Sequence, residues 1–285
     1  MIRLAALLAA AVPFGPAPAS TVREAVAPEP SPSAEQLFED RLDPERLDAA
    51  LAALARRAKA RPGDAHARIL LARAEAFWSD LWPDAAPELA DAQLREGLRA
   101  AGEALALLSP GCGRAGCDLP DALGEVTAAG AEALYWFAAD RHRLAARHGL
   151  AWLLLEDGEL ERLFRRVVEL APATYHGGAE RHLAELALAL PFGFGPGLAG
   201  AATELATAEK LGPTFLPTRI VWAQRLAVKA QDYPLFLREL RAVLDAPPDL
   251  DPEAWPENEL ARRRARELSV RAEELFTSSA LHEGR

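Results

Sequence analysis

The chain has 285 residues, a formal net charge of −10 and a sequence pI near 5.2; half of its residues are hydrophobic and 26% are charged. Valine and isoleucine total 13 and threonine 8, against a large excess of alanine, leucine, glutamate and arginine, which excludes a β-rich fold and predicts an all-α one. The acidic balance argues against a nucleic-acid partner, and the 22 prolines and 19 glycines exclude a single continuous coiled coil.

The N-terminus opens Met1-Ile2-Arg3, runs without charge from Leu4 to Val12, and reaches Ala17-Pro18-Ala19. A basic residue, a short apolar run and a small-residue tripeptide predict an export signal over 1–19. No cysteine follows the apolar run, so this leader offers no lipid attachment point. Residues 20–34, with Pro28, Pro30 and Pro32 among serines and acids, form a predicted flexible linker. A single helical domain is then expected over 35–280.

Amphipathic runs predict helices near 34–61, 64–81, 87–108, 121–147, 149–170, 174–190, 197–211, 214–230, 232–246 and 257–277. The segments between them carry stop signals: Arg61-Pro62-Gly63, Ser109-Pro110-Gly111, Ala171-Pro172, Leu190-Pro191 and Gly212-Pro213. Asp64 and Thr174 are candidate N-caps. Leu160, Phe164, Val167 and Pro172 share their spacing with Ala201, Leu205, Ala208 and Pro213, and Leu98, Gly102, Leu105 and Pro110 follow it loosely. That spacing is the second-helix half of a tetratricopeptide-type repeat, although the distances between proline stops are irregular. The expected architecture is a superhelix of antiparallel helical hairpins, degenerate in its repeats.

Cys112 and Cys117 are the two cysteines, and they flank a short glycine-containing loop. In an oxidising compartment a loop-closing disulfide is expected, with two free thiols as the alternative. The six histidines show no His-Glu-x-x-His pair, His176 and His182 fall on divergent helix faces, and no metal site or cofactor is expected. No phosphate loop, dinucleotide glycine pattern or nucleophile elbow occurs, so no catalytic residue is expected and the chain is not read as an enzyme. The unusual local chemistry is the aromatic run at Tyr135-Trp136-Phe137 and the glycine pair in Tyr175-His176-Gly177-Gly178. Glycine near a helix start costs about 1 kcal/mol against alanine. Such a pair implies the close approach of another backbone or of a ligand.

The same residues carry a resemblance to a known family. Tyr135-Trp136-x-Ala138, Tyr175-His176-Gly177-Gly178 with Leu183, and Leu190-Pro191 come first. The repeat Ala201–Pro213, the helix around Trp222, the Gln231-Asp232-Tyr233 turn and the Asn258-x-x-Ala261-x-x-x-Ala265 helix follow in order. In these features the sequence resembles the T component of TRAP transporters, the TatT family, over about 45–277 and best from 130. The resemblance implies a periplasmic, homo-oligomeric protein, a homotrimer, that docks the solute-binding subunit of an ion-driven uptake system. It also implies relay of a hydrophobic or organic-acid ligand without chemistry. The channel-wall candidates are then Tyr135, Trp136, Tyr175, His176, Gly177, Gly178 and Arg181, with Arg181 as the counter-charge for a carboxylate. The competing reading is an exported helical scaffold that binds a protein partner and no small molecule.

Overall fold

Side-chain caps divide the first predicted helix in two. Ser33 and Gln36 form a reciprocal capping box on α1 (Ala34–Glu39), and the Asp43 carboxylate accepts from the backbone N–H groups of Glu45 and Arg46 at the start of α2 (Pro44–Ala60). The expectation of one helix over 34–61 is therefore corrected. Pro44 has no N–H to continue a preceding helix, and it occupies the first-turn position where none is needed. The computed structural model describes residues 32–109, 111, 122–191, 193 and 195–283. The expected leader, the first part of the linker and the Cys112/Cys117 pair lie outside the described residues.

The array continues with α3 (Ala65–Leu81), capped by Asp64 as expected through a bond from the Ala67 N–H, and α4 (Pro87–Leu108). Two 3₁₀ turns, Leu123–Glu125 and Ala128–Gly130, precede α5 (Ala131–His148), so the described part of the run expected to be helical from 121 begins its α-helix later. After α6 (Leu150–Leu170) comes α7 (Gly178–Ala189), then α8 (Gly197–Leu211). Helix α9 runs through Pro217–Val221, a π-helical stretch Trp222–Ala227 and Val228–Ala230. It is followed by α10 (Tyr233–Leu244), α11 (Trp255–Val270), α12 (Ala272–Leu275) and α13 (Ser278–Glu283). No strand occurs among the described residues, and none of their helices is long and apolar enough to cross a membrane.

Consecutive helices from α1 to α11 pack on one another, the arrangement expected of stacked helical hairpins. The repeat residues behave as their spacing predicts in two cases: Leu160, Phe164 and Val167 of α6, and Ala201, Leu205 and Ala208 of α8, are fully buried. The third set sits at the edge of its stripe. In α4 the buried line runs through Leu94, Gly97, Ala101, Ala104 and Leu105, while Leu98 and Gly102 are half-buried.

Two apolar cores result, and α7 belongs to both. Leu183 and Leu186 join the core of α1–α6, whereas Ala184, Ala187 and Leu188 join that of α8–α13. A helix that contributes residues to two cores is surrounded by protein on most sides. Here only Glu185 and Ala189 of α7 are partly exposed.

Candidate functional site

The turn before α7 is where sequence and structure diverge most. Residues 174–177 are not helical: Tyr175, His176 and Gly177 take left-handed backbone angles with φ of 46°, 57° and 70°. The helix begins at Gly178 with Gly177 as N-cap, so Thr174 is not the cap. A non-glycine residue at positive φ is uncommon, and two in succession mark a strained, over-determined turn. The glycine pair has a packing cause. A Cβ on Gly177 would lie 2.9 Å from the Ala208 Cα, and one on Gly178 would lie 2.5 Å from the Tyr135 hydroxyl and 2.6 Å from its ring. Close approach of a backbone and of an aromatic ring requires both glycines.

This turn sets Tyr175 into a nest of rings. The Trp136 ring centre is 4.7 Å from that of Tyr175, Tyr135 is at 5.6 Å and Phe215 at 5.2 Å. His176 stacks on Phe215 at 4.6 Å and 7°. The seven residues singled out from the sequence thus meet in one cluster. Tyr135 and Trp136 form its buried floor, 0% and 1% exposed.

Cations crowd the same rings. The Arg181 guanidinium carbon lies 4.7 Å from the centre of Phe215 and 5.7 Å from that of Tyr175, and the Arg73 carbon lies 5.2 Å from Tyr175. Such contacts recover part of the cost of desolvating a guanidinium. Glu257 answers two of the charges: its carboxylate takes Arg41 at 2.5 Å and Arg73 at 3.3 Å, and it accepts from the Tyr175 hydroxyl at 3.1 Å. Burial and the Glu257 charge hold the Tyr175 hydroxyl well above its ordinary value, so it stays a neutral donor. Burial alone would raise Glu257, but the Arg41 and Arg73 charges prevail and hold its carboxyl below the ordinary range.

Arg181 is left over. It is 6% exposed, yet no carboxylate among the described residues lies within ion-pair distance of it. Its hydrogen bonds, both from Nη1, go to the Thr218 hydroxyl at 3.4 Å and the His176 carbonyl at 3.5 Å. The cluster therefore holds three guanidinium groups and one carboxylate, which pairs with two of them. The Arg73 Nε, the Trp136 indole N–H and the Tyr135 hydroxyl are buried without a hydrogen-bond partner among the described residues. Buried polar groups are ordinarily paired, so this surplus of donors marks the place where an acceptor is missing.

Sequence reasoning did not find Arg41, Arg73, Phe215, Thr218 or Glu257. They come from the turn after α1, from α3, from the turn before α9, and from α9 and α11, and only the packing of the array brings them to Tyr175. Two surface depressions, of about 390 and 500 Å³, border Leu123, Arg162 and Arg166 in one case and Ser33, Arg56 and Arg57 in the other; neither includes a residue of the ring cluster.

The family model for the TRAP transporter T-component matches residues 83–276. The chain belongs to that family. The matched span takes in the seven ring-cluster residues and Glu257, whereas Arg41 and Arg73 precede it. T-component membership makes this a component of a transport system. No match was found among the curated proteins.

Proposed function

We propose that this T-component is an exported, periplasmic accessory subunit that holds and passes on a ligand with a carboxylate head and an apolar body. The observation that carries the reading is Arg181, a buried guanidinium with no acidic partner among the described residues. Withdrawing a charge from water costs several kcal/mol even after relaxation, and an uncompensated charge keeps that cost. A ligand carboxylate taking both outer nitrogens of Arg181 supplies the missing acceptor in a bidentate pair. Phe215, Tyr175 and Trp136 supply apolar contact for the remainder of the ligand. The same reading has a leader over 1–19, a linker over 20–34 and one helical domain over 35–280, and it includes assembly as a homotrimer. Its partner is the solute-binding subunit of the uptake system. Leu150, Trp152, Leu154 and Leu155, exposed together at the start of α6, are an apolar surface suited to that docking.

A second reading, an exported helical scaffold without a small-molecule ligand, draws on the tight burial of Tyr135 and Trp136. Native mass spectrometry of the exported protein, purified without added ligand, separates the two. A trimer carrying a co-purified small acid is the expected result. A clean, ligand-free monomer overturns the relay and favours the scaffold.

A further inference from the structure

Beyond the ring cluster, three metal-ligating atoms converge in the interior. His142 of α5 and His182 of α7 are 6% and 5% exposed, and their Nδ1 atoms lie 2.9 Å apart. Glu185, one helical turn after His182, places Oε2 3.0 Å from the His182 Nδ1 and 3.9 Å from the His142 Nδ1. Protons alone serve this arrangement poorly. A neutral imidazole carries one hydrogen on Nδ1 or none. If His182 donates to Glu185, its Nδ1 has nothing to offer the His142 nitrogen at 2.9 Å; if it donates to His142 or accepts from it, the carboxylate faces it without a bond. A cation at the centre satisfies all three at once.

The spacing agrees with that reading. A tetrahedral ion with bonds of about 2.0–2.1 Å sets its ligand atoms about 3.3–3.4 Å apart, and the three separations here bracket that value. Two imidazole nitrogens and one carboxylate oxygen form a donor set for zinc-class transition ions, whereas magnesium and calcium prefer all-oxygen shells. Phe164 of α6 stacks on His182 with ring centres 4.8 Å apart and 15° between planes, which fixes the orientation of that imidazole.

We infer that His142, His182 and Glu185 bind one zinc-class divalent ion, through the two Nδ1 atoms and Oε2, tying α5 to α7. Three protein donors leave a fourth position for water or an anionic atom. His182 directly follows Arg181, so the ion braces the helix that presents the unpaired guanidinium. This inference stands independently of the ligand proposed for Arg181.

The test uses the full chain with any affinity tag removed, stripped with a chelator and titrated with zinc against a chromophoric competitor. One equivalent per chain is expected, with a melting temperature raised by several degrees. A hundredfold excess of magnesium or calcium should not displace it. Glu185→Gln keeps an acceptor for His182 at a partly exposed position, so it should fold as the parent does and lose at least tenfold in zinc affinity. His142→Gln should do the same. His148→Ala, which removes an imidazole paired with Asp91 at 3.0 Å, should leave binding unchanged. A folded parent that retains no zinc overturns the inference, as does zinc affinity that falls with His148→Ala but not with Glu185→Gln.

Discussion

Arg41 and Glu257 are 216 positions apart in sequence and 2.5 Å apart in space, both buried. Their pair joins the turn after α1 to the first turn of α11, and Arg73 of α3 and Tyr175 share the same carboxylate. An array of hairpins built from neighbour contacts is thus also tied across its length, from the turn after α1 to α11, at one charged group.

Removing that group strands its cations. Glu257→Leu leaves the buried Arg41 and the partly buried Arg73 without this counter-charge and should cost about 3–5 kcal/mol in urea unfolding. The parent should lose stability in acid. The Glu257 carboxyl is depressed below its unfolded value of 4.5, so its contribution is present above that pH and disappears as pH falls through the lower folded value. An acid limb no flatter in Glu257→Leu than in the parent contradicts this account.

Glu75 should act in the opposite direction. Burial first, then the Glu96 and Asp48 charges, push its carboxyl up to about 8, and its Oε2 has no hydrogen-bond partner among the described residues. The folded state therefore holds a proton that the unfolded state releases near 4.5, and stability falls as pH rises from there through about 8. Glu75→Gln should flatten that slope and stabilise the protein at pH 8 by on the order of a few kcal/mol. Thermal melts at pH 5 and pH 8 read the difference.

Gly178→Ala drives a methyl into the Tyr135 ring. Overpacking of this kind costs about 1–3 kcal/mol, and the double variant Gly178→Ala/Tyr135→Phe should not recover it fully, since ring atoms as well as the hydroxyl are in the way. A melting temperature equal to the parent's counts against the close approach.

Arg181 should separate binding from stability. No acid among the described residues depends on it, so Arg181→Met removes an uncompensated charge without creating another and should leave the melting temperature equal or higher. Organic-acid affinity should fall at least tenfold, and Arg181→Lys should not restore it, because an ammonium cannot reproduce the bidentate fork. Calorimetry with a panel of carboxylates, beside thermal melts of the same samples, measures both.

The cysteine pair has its own check. Alkylation of non-reduced, exported protein should label neither Cys112 nor Cys117; labelling of both means that the compartment or the pairing is otherwise.

Local chemistry carried much of the fold into the sequence. The stripes of α6 and α8, the Asp64 cap and the proline stops depend on residues within a turn or two of one another, and they appear where their spacing puts them. The glycine pair announced a close approach, and the structure supplies Ala208 and Tyr135 as its cause. What escaped depends on distance in the chain. Glu257 looks like any acid in the first turn of a helix until Arg41, Arg73 and Tyr175 surround it. His182 and Glu185 stood one turn apart in plain view, but their partner His142 comes from another helix, 40 positions earlier. The break at 40–43 was readable from Asp43-Pro44, and the amphipathic pattern running across it concealed the stop.

The double membership of α7 bears on how anything reaches Arg181. A helix wedged between two cores opens only when both let go, so its amides should exchange with solvent at the rate of global unfolding. The left-handed turn at 175–177 lies just before that helix, packs Tyr175 on the first core and holds its ring against the cations. A route to the guanidinium that leaves the helix in place therefore runs through rearrangement of this turn.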